Sequence, residues 1–326
     1  VVALVAEPLG QVQQVVRDHE EFLLVAHENA DADSLGSALA FADYLRRQGK
    51  HPHVWVPAPL PRGLGYLPGY EAVNREAAPR EAVAIAFDAG SLGRFGDLRA
   101  RIEAAPLTVV FDHHTSNDGF GDICVVEREA AASGAIVFDT LRAWQAEISP
   151  EAATNLYAAI FTDTGGFRHE NTTGEVLQMG ADLCRLGADP AFVALKSYKS
   201  RPETTLRLQA LAAAGARYEL EGKLVWSEVT QEMLTRSGAE MAETEGIIDV
   251  LQSLDTMVCA LLFKEAAPEL TRVSVRTRGW VEAHRLVAPL GGGGHRRAAG
   301  AEVSWPLARV EEELLAAARR AIETGA

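Results

Sequence analysis

FLLVAHENADADSLGSALAFADYLRRQG, residues 22–49, reads as one strand, one polar loop and one helix in succession. FLLVA (22–26) is a continuous apolar run, as expected of a strand covered on both faces. HENADAD (27–33) follows and carries four ionisable residues in seven. From Ser34 to Gln48, Leu35, Ala38, Leu39, Ala42 and Leu45 recur at helical spacing, and Gly49 stands where a helix stops. Asp31 and Asp33 also suit a helix N-terminus, and Ser34 is the expected capping residue. Working outward, HVWV (53–56), AVAIAF (82–87), LTVVF (107–111) and ICVV (123–126) are further strand candidates rich in β-branched residues. Helical patterns then cover about 133–146, 150–162, 173–186, 190–199 and 203–214. The alternation predicts a doubly wound α/β domain with a mainly parallel sheet.

The composition shifts near AAAGARYELEGK (212–223), a helix end followed by a hairpin turn. Beyond it KLVWSEV (223–229), MVCALLF (257–263) and TRVSVRTR (271–278) read as strands, and 240–252 and 307–323 as helices. With 326 residues the chain has room for two domains, and the expected junction lies near 200–215.

Lysine and arginine total 31 against 45 aspartates and glutamates, a net charge of −14. Such a surface repels a long phosphate backbone, which excludes a protein that coats duplex DNA. No apolar stretch is long enough to span a membrane, and no basic leader precedes the apolar N-terminus, so a soluble cytoplasmic protein is expected. Cys124, Cys184 and Cys259 lie far apart with no C-x-x-C pair, which argues against a disulfide framework or a thiolate zinc site.

Polar clusters close the predicted strands: His27 to Asp33 after the first, Asp88 after AVAIAF, and Asp112-His113-His114 after LTVVF. Asp163, in FTDTGG, ends a predicted helix. Carboxyl ends of parallel strands form the ligand crevice of such sheets. Taken singly, Asp88 and Asp163 pass for turn and loop residues. Taken together, Asp31, Asp33, Asp88 and Asp163 would repel one another unless counter-ions joined them, and two divalent cations balance four carboxylates formally. Mixed imidazole and carboxylate donors suit manganese, with zinc and iron as competitors. The D-x-D spacing lets neighbouring carboxylates address two ions, and a carboxylate from another strand end can bridge them.

H-x-x-x-D-x-D-x-x-G-S at 27–37, Asp88, the DHH triplet at 112–114 and Asp163 resemble the four motifs of the DHH phosphoesterase superfamily. Gly291-Gly292-Gly293-Gly294-His295 resembles the GGGH signature of the DHHA1 domain. The order is similar to that of the NrnA-like group, which acts on short oligoribonucleotides and on 3′-phosphoadenosine 5′-phosphate. The resemblance implies a DHH catalytic domain over 1–198, a helical linker over 199–215, a DHHA1 domain over 216–326, and a cleft between the domains. It implies two divalent metal ions, Mn2+ foremost with Mg2+ or Co2+ able to substitute. His27, Asp31 and Asp88 would hold one ion, and Asp33, Asp88, His113 and Asp163 the other. Asp112 would orient an imidazole and His114 would face the scissile phosphate. Ala30 stands where the family often has proline, which loosens the loop without removing a ligand.

In an acidic chain, residues 270–300 hold six arginines against one acidic residue, Glu282. Four consecutive glycines expose backbone N–H groups that a phosphate can use, although a flexible hinge explains them equally well. By resemblance, Gly292, Gly293, Gly294, His295 and Arg276 hold the phosphate or terminal nucleotide of the substrate, with Arg168 contacting it from the catalytic side. The implied activity is hydrolysis of short RNA or DNA oligonucleotides and small nucleotides to 5′-mononucleotides, by a homodimer, without long duplex substrates. RecJ-type exonucleases, cyclic-dinucleotide phosphodiesterases and family II pyrophosphatases share the first four motifs. They differ in additional DNA-gripping domains, in attached membrane and sensor segments, or in the lack of a GGGH-type domain. A nucleotide sensor without turnover would be expected to lack a ligand, and none is missing here.

Overall fold

The computed structural model describes residues 6–244 and 246–325. They form two units, Val1–Ser200 and Arg201–Ala326. The first contains α1 (Ala6–Asp18), β1 (Glu21–Ala26), α2 (Ala32–Arg47), β2 (His51–Trp55), β3 (Val83–Phe87), α3 (Arg99–Glu103), β4 (Thr108–Asp112) and β5 (Ile123–Val126). Helices α4 (Ser133–Ala143), α5 (Pro150–Asp163), α6 (Gly174–Arg185) and α7 (Pro190–Ala194) complete it. The five strands lie in the order β2-β1-β3-β4-β5, every pair parallel. The chain moves from β1 outward to β2, then returns to β3 and proceeds to the other side. The crevice at that reversal, between the ends of β1 and β3, is where an open parallel sheet places its ligand.

Apolar runs without alternation fold this way because both sheet faces are covered. Phe22 and Leu24, Ile85 and Phe87, and Val109 and Phe111 pack with α2, α4 and α5. Leu23 and Val25, Ala84 and Ala86, and Val110 pack on the other face with Phe95, Leu98 and Ile102. Helices α2 and α5 approach so closely that a Cβ on Gly36 would lie 2.7 Å from the Asn155 carbonyl oxygen. The cap of α2 is Asp31, not Ser34 as the sequence suggests. The Asp31 carboxylate accepts from the Ser34 N–H at 2.9 Å, and the Ser34 hydroxyl accepts from the Asp31 N–H at 3.2 Å. The longer aspartate side chain reaches the third backbone N–H of the helix, and serine closes the reciprocal box.

The second unit contains α8 (Glu203–Ala214), β6 (Arg217–Glu219), β7 (Leu224–Val229), α9 (Gln231–Ser237), α10 (Ile248–Gln252), β8 (Cys259–Ala267) and β9 (Leu270–Thr277). It continues with α11 (Ala283–Val287), β10 (Gly293–Gly294), β11 (Ala298–Val303) and α12 (Leu307–Thr324). Its six strands lie in the order β10-β11-β9-β8-β7-β6 and are antiparallel except for β7 and β8. Cys259, Leu261 and Phe263 face α12, whose Val310, Leu314, Ala318 and Ile322 fill that side. Ala260 and Leu262 face α8, α9 and α10. The segment expected as a linker includes α8, whose Leu208 and Ala212 are fully buried in this second core. The helix expected over 240–252 is a 3-10 turn, Met241–Thr244, followed by the short α10.

The three cysteines are free, and burial pushes the Cys259 thiol up to about 12, in keeping with a packing role. Among the described residues no helix is long and apolar enough to cross a membrane.

Candidate metal centre

Register alone brings the polar clusters together. Ala26 pairs with Phe87 and Phe87 with Phe111, so the residues that follow, His27, Asp88 and Asp112-His113, leave three adjacent strands at one level. Asp88 occupies the middle. Its Oδ2 lies 3.4 Å from His27 Nε2 and its Oδ1 lies 3.3 Å from His113 Nε2. The backbone of Asp88 is left-handed, at φ 58°, which turns the chain sharply off β3. Such a conformation costs of the order of 1–3 kcal/mol and is concentrated at functional positions.

The remaining acids come from helix ends. Asp31, the cap of α2, lies 3.9 Å from His27 Nε2. Asp33, in the first turn of α2 and fully buried, lies 3.8 Å from His113 Nε2, and Asp163, the last residue of α5, lies 3.6 Å from the same atom. His27, Asp31 and Asp88 thus form one group whose donor atoms fall within 4.8 Å of one another, and Asp33, His113 and Asp163 form a second. Asp88 touches both.

Each imidazole is turned by a bond at its other nitrogen. His27 Nδ1 meets the Glu28 carbonyl at 2.7 Å and His113 Nδ1 meets the Ala130 carbonyl at 3.1 Å. A carbonyl only accepts, so both Nδ1 atoms carry hydrogen and both Nε2 atoms face the carboxylates. His114 differs, because its Nδ1 meets Asp112 Oδ1 at 2.7 Å. Asp112 therefore orients His114, not His113, and its second oxygen accepts from the Asn117 amide at 2.6 Å.

Sequence reading missed the supports of Asp33 and Asp88. Asp33 accepts the N–H of Ser133 at 2.7 Å and of Gly134 at 2.8 Å, the first N–H groups of α4. The positive helix end thereby holds a buried carboxylate. The Ser133 hydroxyl donates to Asp88 Oδ1 at 3.0 Å. A cap read as small residues, AASGA, conceals this, because the donors are backbone groups whose side chains carry no sign of them.

Charge in the crevice is unevenly held. Burial, with the charges of Asp88 and Asp163, pushes Asp33 well above the usual carboxylate range. Burial likewise pushes Asp163 up to about 7, against the pull of His113. Burial works against ionisation of Asp88 too, but hydrogen bonds from His113 and His27 overcome it and hold Asp88 well below that range. Burial disfavours a charged His113, yet the Asp88 bond and the charges of Asp163, Asp88 and Asp33 hold its pKa well above the usual value. The protein groups alone thus settle the crevice by retaining protons on Asp33, Asp163 and His113. Divalent cations can replace those protons, and the hard oxygen and imidazole donors fit such ions.

Arg168 is exposed, donates to the Gly165 carbonyl at 2.5 Å and lies over the Tyr198 ring. In the second unit, Arg276 stands on the face of β9 opposite Val273 and Val275, in register with Ala298 and Ala260. Gly293 and Gly294 are not a free hinge, since they pair with Gly300 and Ala299 as β10. A Cβ on Gly292 would lie 2.5 Å from the Gly300 carbonyl oxygen, and one on Gly294, at φ 136°, 2.6 Å from the Ala298 carbonyl oxygen. The glycines allow the hairpin to close, and the His295 N–H bonds the Ala298 carbonyl at its tip, at 2.7 Å.

Residues 21–160 match the N-terminal domain of the DHH family, and residues 222–324 match the DHHA1 domain. The bifunctional oligoribonuclease and PAP phosphatase NrnA of Thermus thermophilus is 30% identical over 298 residues, 90% of this chain and 88% of that protein. An exopolyphosphatase-related protein of Bacteroides fragilis shares the fold with a TM-score of 0.91, at 22% identity, over 100% of this chain and 99% of that one. RecJ of Thermus thermophilus, solved in complex with Mn2+, shares it with a TM-score of 0.56 at 14% identity, over 98% of this chain and 56% of RecJ. The chain belongs to the DHH family and carries a DHHA1 domain behind its DHH domain.

Proposed function

We propose that the protein is a metal-dependent phosphodiesterase that hydrolyses short oligonucleotides to 5′-mononucleotides and also acts on 3′-phosphoadenosine 5′-phosphate. The observation that carries this reading is the placement of Asp88 between His27 and His113, with Asp31, Asp33 and Asp163 around them. His27, Asp31 and Asp88 hold one cation, and Asp33, Asp88, His113 and Asp163 the second, with Mn2+ as the first choice. Bound divalent cations supply acidified water and neutralise phosphoryl charge. The Glu28 and Ala130 carbonyls keep both ligand imidazoles in the tautomer that presents Nε2. Asp112 and Asn117 hold His114 toward the scissile phosphate, where its outer nitrogen stabilises the negative charge that grows on the phosphoryl oxygens.

Arg276, Gly292, Gly293, Gly294 and His295 bind the phosphate or terminal nucleotide of the substrate, and Arg168 contacts the nucleotide from the DHH unit. A net charge of −14 supports short substrates over long duplexes. The reading also carries a homodimer, on the strength of the family resemblance alone, and a cytoplasmic location, on the sequence reading. The NrnA name of a relative 30% identical along nearly the whole chain supports the substrate class.

The test is Mn2+-dependent hydrolysis of a labelled ladder of RNA and DNA from dinucleotides upward, with 3′-phosphoadenosine 5′-phosphate and a cyclic dinucleotide alongside. Rapid release of 5′-mononucleotides from the shortest members is the expected result. Cleavage confined to the longest DNA would replace the reading with a RecJ-like one.

A further inference from the structure

The segment that follows β3, SLGRFG (91–96), carries a guanidinium to the edge of the crevice. Arg94 Nη2 lies 3.4 Å from His27 Nδ1. That nitrogen already meets the Glu28 carbonyl at 2.7 Å, and the shorter contact decides where its hydrogen points. A nitrogen that donates to a carbonyl cannot accept from an arginine, so the Arg94 contact is two donors side by side. Among the described residues no carboxylate lies within ion-pair distance of Arg94, although the chain has 45 aspartates and glutamates. In the same unit Arg47 pairs with Asp43, Arg99 with Glu103 and Arg185 with Asp182.

The backbone beneath it is fixed. The Arg94 carbonyl accepts the Glu28 N–H at 2.8 Å, its own N–H bonds the Ser91 carbonyl at 3.2 Å, and Phe95 is fully buried in the sheet's second face. Gly96, at φ 48°, leaves the space that the Glu28 side chain fills, since a Cβ there would overlap that carboxylate. Loop 27–29 and turn 91–96 therefore interlock, and a side chain mounted on them is held at the His27 end of the crevice. Neither packing nor imidazole orientation uses the guanidinium.

We infer that Arg94 is a phosphate-binding residue of the DHH unit, gripping the substrate's phosphoryl oxygens beside the His27 group. A planar guanidinium with five N–H donors suits a phosphate ester, and a rigid mount reduces the entropy lost on binding. The inference deepens the function proposed above and rests on it for the substrate class.

Arg94→Ala and Arg94→Lys are compared with wild type in Mn2+-dependent dinucleotide hydrolysis and in calorimetric binding of 5′-AMP and Mn2+. The alanine variant is expected to raise KM and weaken 5′-AMP about ten- to hundredfold, the loss typical of a hydrogen bond to a charged group. Its Mn2+ affinity stays at the wild-type value, and lysine recovers part of the loss. Unchanged 5′-AMP affinity in the alanine variant overturns the inference, as does a loss of Mn2+ binding in both variants, which would make Arg94 a prop for His27. Absence of dinucleotide turnover in the wild type overturns the function instead, and the 5′-AMP comparison still decides the role of Arg94.

Discussion

Asp112 and His114 are joined by a 2.7 Å bond between a fully buried carboxylate and the Nδ1 of a partly exposed imidazole. The other carboxylate oxygen takes the Asn117 amide at 2.6 Å, and the same amide reaches the Ala89 carbonyl at 3.3 Å. The loop after β4 is thereby tied to the loop after β3 through the Asn117 amide, beside the Asp118 N–H that bonds the Gly90 carbonyl at 3.0 Å. His114 is aimed by that chain, whereas His113 is aimed by the Ala130 carbonyl. The two adjacent histidines of the triplet have separate supports.

Asn117→Ala is expected to lower kcat about ten- to hundredfold while leaving Mn2+ affinity intact, the range usual for residues that orient an active imidazole. Asn117→Asp would set a second carboxylate against Asp112 and is expected to be worse than alanine. Steady-state kinetics beside Mn2+ calorimetry separates the cases. If Asn117→Ala loses Mn2+ binding in step with kcat, Asp112 serves the metal ligands and not His114.

Gly134→Ala tests the helix end that holds Asp33. The added Cβ would lie 2.5 Å from the Ala159 Cβ and 3.3 Å from Asp33 Oδ1, so α4 must shift away from α5. Overpacking of this kind costs about 1–3 kcal/mol. The same shift lengthens the 2.8 Å bond from Gly134 to Asp33, so both melting temperature and Mn2+ affinity are expected to fall. A lower Tm with wild-type Mn2+ affinity would show that Asp33 does not depend on this helix end.

Much of this centre was legible because parallel strands make it so. Once FLLVA, AVAIAF and LTVVF are read as neighbouring strands, His27, Asp88 and Asp112 to His114 must emerge at one edge, and the side-chain types announce the chemistry. What stayed hidden acts through the backbone or has no motif. Ser133 and Gly134 contribute N–H groups, and Arg94 is one exposed arginine among many. Helix α1 shows Leu9, Val12 and Val16 at helical spacing, but Pro8 and Gly10 interrupt the pattern. Strand β11, AAGAEV, has small residues where strand readers expect β-branched ones, because β10 must approach it closely. Arg276 and the glycine run were legible as residues, yet the glycines serve hairpin closure as well as any ligand.

Chelator-treated protein is expected to lose stability as pH rises from about 4 through about 7, the interval between the unfolded and folded pKa of Asp163, and further as the raised histidines lose their protons. Asp163 ionises at about 7 in the fold instead of 3.8, so the folded state holds a proton that the unfolded chain has released. His27, His113 and His114 are raised as well, the bonds and charges of the neighbouring carboxylates outweighing their burial. They too favour folding below about 6.5, and that contribution is lost as pH climbs through their folded values. Asp88, held low, acts oppositely, but only below 3.8. Mn2+ should remove the slope and release protons on binding, more at about pH 6.5 than at about pH 8.5. Thermal melts and calorimetry in buffers of different ionisation enthalpy measure both effects. An Asp163→Asn variant with an unchanged slope would show that the crevice is not its source.

Asp88 combines a backbone demand with a chemical one, and two substitutions separate them. At φ 58° an asparagine is tolerated, whereas alanine bears the left-handed penalty of about 1–2 kcal/mol. Asp88→Asn is therefore expected to melt above Asp88→Ala. Both remove the only carboxylate that contacts His27 and His113 together among the described residues. Activity should fall to that of chelator-treated enzyme in both, because a neutral amide cannot offset the charge of two cations. If Asp88→Asn keeps more than about a tenth of wild-type turnover, Asp88 shapes the turn and does not join the two halves of the site. If both variants are inactive and only the alanine is destabilised, the strained turn and the shared ligand are two functions of one residue.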